Sequence, residues 1–182
     1  NCGVRASDGA LLCWGRDNAG QSAPPSGAFS SVSAGVYHSC GLKSDGTVAC
    51  WGRDTYGQAT APAGSFLSVV AGGNEFSCAL GSDNQLTCWG RNNNGETEPP
   101  AGDFSALAAG FWHACAVYTD NKVACWGSNN FGQQDLPAAY APGTCSIKLR
   151  TGSSCNNSPE CASGFCADGV CCESGCDGLC NG

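Results

Sequence analysis

His38-Ser-Cys-Gly-Leu-Lys-Ser-Asp-Gly-Thr-Val-Ala-Cys-Trp-Gly52 decides the fold. The residues on either side of Ser44-Asp45-Gly46 read as two strands joined by a three-residue turn, whose last member tolerates a left-handed backbone. Ser82-Asp83-Asn84 and Thr119-Asp120-Asn121 repeat the turn with Asn, the other residue type that accepts this conformation, in third place. Counting outward sets Cys40 opposite Cys50, Cys78 opposite Cys88 and Cys115 opposite Cys125. Directly opposed residues of antiparallel strands lie about 4.5–5.5 Å apart at Cα, within disulfide range, so one cross-strand bridge is predicted in each copy. The first copy spaces Cys2 and Cys13 by eleven residues instead of ten, and the extra residue is expected to form a bulge near Ala6 and Ser7.

The quoted stretch ends on a Cys-Trp-Gly triplet that returns four times, at Cys13, Cys50, Cys88 and Cys125, in steps of 37, 38 and 37 residues. A period of that size belongs to solenoids and propellers, where one supersecondary unit is copied and stacked. Each full copy opens on Phe29, Phe66 or Phe104, and short alternating apolar runs between Gly, Asn, Asp and Pro clusters indicate strands. The expectation is an all-β chain. It comprises repeats over residues 1–136, a linker over 137–144 and a cysteine-rich module over 145–182.

Sixteen cysteines in 182 residues is the composition of a disulfide scaffold, which persists only in oxidising surroundings, so a secreted or cell-surface protein is expected. The formal charge is −7, and the eight basic residues stand singly, which argues against a nucleic-acid partner. No apolar run reaches the roughly 20 residues of a membrane span.

Gly35-Val-Tyr-His38-Ser, Leu42-x-x-Asp45-Gly46, Trp51-Gly52 and Gly57-Gln58 occur in one register, and in that combination the unit resembles the repeat of the regulator-of-chromosome-condensation family. Trp14-Gly15 with Gly20-Gln21, Trp89-Gly90 with Gly95, and Trp126-Gly127 with Gly132-Gln133 carry it into the other copies. The resemblance implies a β-propeller with four-stranded blades, of which residues 2 to about 135 supply three and a half to four. The added cysteine pair is similar to extracellular versions of the repeat, so the exchange activity of the nuclear members is not carried over. Phe76 stands where the neighbouring copies have His38 and His113, and Glu96 stands where the others have Gln. The opening Phe strand is missing from the first copy, and none follows Gln134. The sequence is therefore expected to be a piece of a longer protein, with open sheet edges available for self-association.

From Cys145 the chain runs through Cys155, Cys161, Cys166, Cys171, Cys172, Cys176 and Cys180 with few large apolar groups, so bridges are expected to hold it. Eight cysteines allow 105 pairings, and none is preferred. The segment is similar to small modules appended to secreted bacterial surface proteins. Asn156-Asn-Ser158 is a formal glycosylation acceptor.

No catalytic constellation stands out. His38 and His113 share one repeat position, which fits a structural hydrogen-bonding role, and Ser39 follows His38 on the opposite strand face. Neither a metal nor a cofactor is expected. The loops 16–20, 53–57, 91–95 and 128–132 are rich in oxygen ligands that calcium accepts, but Asn and Asp before Gly are more simply turn formers. The recurring tryptophans read as packing between blades. Tyr37, Tyr56, Phe111, Trp112 and Phe131 are not fixed by the repeat and form the candidate binding surface.

The function expected is a non-enzymatic extracellular binding or structural module on a cell surface, matrix or filament. It would contact a protein or glycan through loops at one rim. The alternative is a secreted inhibitor of another enzyme, since the resemblance includes a secreted β-lactamase inhibitor.

Overall fold

The computed structural model describes residues 1–73 and 75–137 in full, together with the backbone of Phe165–Ala167 and Val170–Cys172. The chain divides into two compact units, Asn1–Tyr140 and Ala141–Gly182. Every regular element among the described residues is a strand, and no helix there could cross a membrane.

The first unit is a row of antiparallel sheets in chain order. β1 (Cys2–Val4) pairs with β2 (Leu11–Cys13). The next three sheets are β3 (Phe29–Ala34), β4 (His38–Lys43) and β5 (Val48–Gly52); β6 (Phe66–Ala71), β7 (Phe76–Gly81) and β8 (Leu86–Gly90); and β9 (Phe104–Ala109), β10 (His113–Tyr118) and β11 (Val123–Gly127). In each of these three the middle strand is the second in sequence. They are the blades of a partial β-propeller, but with three assigned strands instead of the expected four. The segment after each Trp-Gly is taken up by turns, with hydrogen bonds such as Gly57 N–H to Asp54 O and Thr60 N–H to Gly57 O, and adds no ladder.

The hairpin register follows from its turn. Lys43 N–H donates to Thr47 O at 2.8 Å and Gly46 N–H returns to Lys43 O at 3.0 Å, which leaves a three-residue loop. Gly46, Asn84 and Asn121 close the loops with φ of 84°, 64° and 70°. The Asp at the middle of each loop accepts the backbone N–H two residues on, from Thr47, Gln85 and Lys122. Cys40 faces Cys50, Cys78 faces Cys88 and Cys115 faces Cys125, and the structure joins each pair, as it joins Cys2 to Cys13.

The first hairpin departs from expectation. Its ladder Cys2↔Cys13, Gly3↔Leu12, Val4↔Leu11 has no bulge. The extra residue lengthens the turn instead: Arg5 N–H bonds Ala10 O at 2.8 Å, and Gly9 N–H bonds Arg5 O at 2.9 Å. A four-residue loop costs less here than a disrupted ladder, because every strand N–H keeps its partner. Bulges occur elsewhere, where β3 meets β4 at Phe29/Ser31 and β6 meets β7 at Phe66/Ser68.

The core lies in the seams between sheets. Leu11, Phe29 and Trp51 fill the first seam, and Cys40, Leu42, Phe66, Val69 and Ala79 fill the second. Phe76, Cys78, Phe104, Ala114 and Trp126 fill the third. Phe29, Phe76 and Phe104 are fully buried, and each such ring stabilises by about 1.5–3 kcal/mol. Each seam also carries a backbone tie from a turn to the next sheet: Phe29 N–H to Gly9 O, Phe66 N–H to Gly46 O and Phe104 N–H to Asn84 O, at 2.8, 2.8 and 2.9 Å.

In the second unit β12 (Phe165–Ala167) and β13 (Val170–Cys172) form a hairpin whose register sets Cys166 opposite Cys171. Cys145, Cys155, Cys161, Cys176, Cys180 and the acceptor Asn156 lie outside the described residues.

Candidate functional site

The Gly of each triplet fixes one end of the sheets. Gly15, Gly52, Gly90 and Gly127 have φ between 101° and 108°, and a Cβ at Gly52 would stand 2.6 Å from Tyr37 O. With Gly there, the next residue turns its N–H onto the strand alongside. Arg53 donates to Tyr37 O, Arg91 to Glu75 O and Ser128 to Trp112 O, each at 2.8 Å. Tyr37, Glu75 and Trp112 therefore occupy one repeat position at the end of the sheets opposite the hairpin turns.

Across this rim runs a strip of arginines and aromatic rings. The Arg16 guanidinium carbon lies 5.5 Å and that of Arg53 4.2 Å from the centroid of the half-buried Tyr37 ring. Arg53 Nη1 reaches Glu75 Oε1 at 2.9 Å, and Arg91 Nη1 reaches Glu75 Oε2 at 3.4 Å. Arg91 also lies 5.5 Å from the Tyr56 ring. Glu75 is buried and holds a left-handed backbone (φ 64°), a conformation that costs a non-Gly residue about 1–2 kcal/mol and that the two cations offset. Arginine guanidinium groups over tyrosine rings present a surface of mixed polarity, the composition of binding hot spots.

The five sequence candidates all fall on this rim. Tyr37 and Tyr56 belong to the arginine strip, while Phe111 and Trp112 form an edge-on pair at 4.6 Å. Phe131 is 87% exposed and makes no ring contact among the described residues. Sequence reasoning missed Arg16, Arg53, Arg91 and Glu75. The signal for the arginines was present: Arg follows Trp-Gly in three successive copies, and a search for consecutive charges passes over residues 37 and 38 apart.

The histidines sit in two environments. His38 is fully buried, with Nε2 2.9 Å from Ser77 Oγ of the next blade, and Ser77 donates to Gln58 O at 3.0 Å. Burial pushes the His38 imidazole down to about 4. Among the described residues Nδ1 has no partner, so a proton there would place an unpaired charge in the seam. Buried among seam side chains, the His38–Ser77 pair gives no substrate access and ties two blades together. His113 is half-buried and makes no side-chain hydrogen bond among the described residues.

Tryptophan makes the other seam bond. Trp51, Trp89 and Trp126 donate Nε1–H to the main-chain oxygens of Gln21, Gln58 and Glu96 in the preceding copy, at 3.0, 3.0 and 2.9 Å. Those acceptors are aimed by their own side chains. Gln21 accepts Ala19 N–H, Gln58 accepts Tyr56 N–H and Glu96 accepts Asn94 N–H, so Glu replaces Gln without loss of the bond. Trp14 departs from the packing role: it is 59% exposed, and no described residue accepts from it.

The oxygen-rich loops are turns. Asp17, Asp54, Asn92 and Asn129 each accept the backbone N–H five residues on, from Ser22, Ala59, Thr97 and Gln134. Among the described residues no group of three or more His, Cys, Asp or Glu could hold a metal ion.

Comparison with known proteins follows this geometry. The Regulator of chromosome condensation (RCC1) repeat matches residues 29–58, 68–96 and 104–133. The Crinkly ectodomain of the Arabidopsis thaliana receptor kinase ACR4 is 33% identical with a TM-score of 0.61, over 70% of this chain and 47% of its own. The ectodomain of the Physcomitrella patens receptor kinase CR4 is 32% identical with a TM-score of 0.60, over 80% of this chain and 40% of its own. Yeast RCC1, solved bound to Kap60, shares the fold at 18% identity and a TM-score of 0.57, over 66% of this chain and 40% of its own. The chain spans less than half the length of each. No curated protein gives a significant match to the sequence. The sheets β3 to β11 thus match the RCC1 repeat and are arranged as propeller blades.

Proposed function

We propose that the chain is an extracellular, non-catalytic binding module that engages a protein partner through the rim of Arg16, Tyr37, Arg53, Glu75, Tyr56 and Trp112. The observation that carries this reading is the strip itself, where two arginines bracket a tyrosine and a buried glutamate locks the second and third arginines. A rim held rigid in advance loses little entropy on binding. Four bridges, one in each copy, favour an oxidising compartment, and the two receptor ectodomains at about one-third identity place similar repeats outside the cell. The three copies that match the repeat present this surface from stacked blades, and loops at a rim are where binding residues concentrate.

The test immobilises three forms of the disulfide-intact chain: wild type, the rim variant Tyr37→Ala/Trp112→Ala, and Asp45→Ala at the opposite end. Each is titrated with extracellular protein from the source cells. The reading requires a protein retained equally by wild type and Asp45→Ala and bound at least about tenfold more weakly by the rim variant. Equal retention by all three forms overturns it.

A further inference from the structure

Four hairpins of the first unit set two cysteines opposite each other, and each pair is bonded with its Cα atoms 4.0–4.1 Å apart. That spacing belongs to facing residues that exchange no backbone hydrogen bonds, where antiparallel strands bring Cα atoms closest. The turns account for it. Lys43 N–H to Thr47 O marks the last hydrogen-bonded position of β4 and β5, the two kinds of position alternate outward from there, and Cys40↔Cys50 falls on a close one. Arg5 N–H to Ala10 O, Gly81 N–H to Gln85 O and Tyr118 N–H to Lys122 O place the other three pairs in the same class.

The hairpin of the second unit meets the same condition in fewer residues. Its ladder pairs Phe165 with Cys172, Cys166 with Cys171 and Ala167 with Val170, which leaves Asp168-Gly169 as a two-residue loop. Asp-Gly is among the dipeptides that a type I′ loop selects, because both of its residues take positive φ. Turn chemistry and backbone ladder therefore give the same register by separate routes. Residues flanking a two-residue loop exchange hydrogen bonds, so Ala167↔Val170 is the hydrogen-bonded pair and Cys166↔Cys171 is the close one beyond it. Cys172 holds the next, wider position, opposite Phe165. Two strands of three residues that form a sheet of their own are marginal in water, and a cross-link removes the open conformations that compete with the hairpin.

We propose that Cys166 and Cys171 form a fifth cross-strand disulfide, the counterpart in the cysteine-rich unit of the bridges in the repeats. It forms by thiol–disulfide exchange: a disulfide oxidant of the surrounding compartment accepts two electrons and leaves as two thiols, which carry off the two protons. The other six cysteines of the unit then allow 15 pairings instead of 105. This bridge is independent of the rim reading, because it rests on the ladder and turn of β12 and β13 alone.

The experiment labels the free thiols of the oxidised 182-residue chain with N-ethylmaleimide in denaturant and cleaves it, unreduced, after Phe165 and before Asp168. Tandem mass spectrometry then identifies the linked peptides and the labelled positions. Wild type is expected to yield peptides joined through Cys166 and Cys171, with no label on either. Cys166→Ser is expected to gain label at Cys171, Cys171→Ser at Cys166, and the double variant at no cysteine. The wild-type map decides without requiring any variant to fold. A bond from Cys166 to any other cysteine, free thiols at both positions, label at Cys172 in Cys166→Ser, or a double variant with newly labelled cysteines overturns the proposal.

Discussion

His38 and His113 hold the same place in their copies and end in different surroundings, as do Trp51 and Trp14. Between β3–β5 and β6–β8, His38 is fully buried and bonded to Ser77, and Trp51 in the seam before it is 8% exposed. At the two outer sheets His113 is half-covered and Trp14 is 59% exposed. Residue identity and repeat position are equal within each pair, so burial follows the neighbouring sheet. Each repeat supplies half of an interior and depends on its neighbour for the rest, the physics of stacked units in general.

The most forceful way to break this comparison is to delete the two tryptophans separately. Trp51→Ala removes a buried ring that packs edge-on with Phe29 at 6.4 Å and donates to Gln21 O, so a loss of about 3–5 kcal/mol is expected. Trp14→Ala, measured in dilute solution, is expected to cost less than about 1 kcal/mol. Urea unfolding midpoints of the two variants provide the measurement. Similar losses would mean that Trp14 contributes to its own sheet as fully as Trp51 does to its seam.

A smaller effect comes from pH. His38 titrates near 4 in the folded chain against an ordinary value of 6.5, so between these values the unfolded chain binds more protons than the folded one. The contribution of the neutral imidazole is complete above about pH 6.5 and is lost as the pH falls toward 4, on the order of 3 kcal/mol in all. His38→Phe copies the residue that β7 already buries at this position, Phe76. The variant is expected to lose less stability than wild type between pH 6.5 and 4, and denaturant melts at the two pH values give the difference. Equal losses in both proteins would remove His38 from the acid response.

Local chemistry was legible in the sequence, and partners chosen at a distance were not. The turns at Ser44-Asp45-Gly46 and its copies, the strand register and the facing cysteines follow from residues within about ten positions of each other, where covalent geometry leaves few alternatives. The period announced stacked blades, but it could not say that Trp51 would seek a main-chain oxygen 30 residues earlier, because any backbone carbonyl is an equally good acceptor on paper. In the first hairpin a bulge and a longer turn absorb the extra residue equally well in sequence, and only the structure separates them. The rim was half read: its aromatic residues stood out by departing from the repeat, while its arginines were hidden by conforming to it. Glu75 gave no sign at all, since its left-handed backbone and twin arginine partners arise only once two blades are side by side.

The finest contrast lies in the turns. Asn84 and Asn121 share a left-handed backbone and the same internal turn bonds, Asn84 N–H to Gly81 O and Asn121 N–H to Tyr118 O, each at 3.0 Å. Replacing either with Ala carries the same conformational cost of about 1 kcal/mol. Their carbonyls differ, because Asn84 O receives the Phe104 N–H of the next blade at 2.9 Å, and no described residue donates to Asn121 O. Any shift of the turn in Asn84→Ala therefore also strains a seam bond worth about 0.5–1.5 kcal/mol, whereas Asn121→Ala disturbs its own hairpin alone. Asn84→Ala is expected to be the more destabilised of the two by up to about 1 kcal/mol in urea melts, and Asn84→Gly, which keeps the backbone conformation, is expected to stay within about 0.5 kcal/mol of wild type. Equal costs for the two Ala variants would show that the turn-to-strand bond adds nothing to the seam, leaving side-chain burial to account for the whole difference between inner and outer sheets.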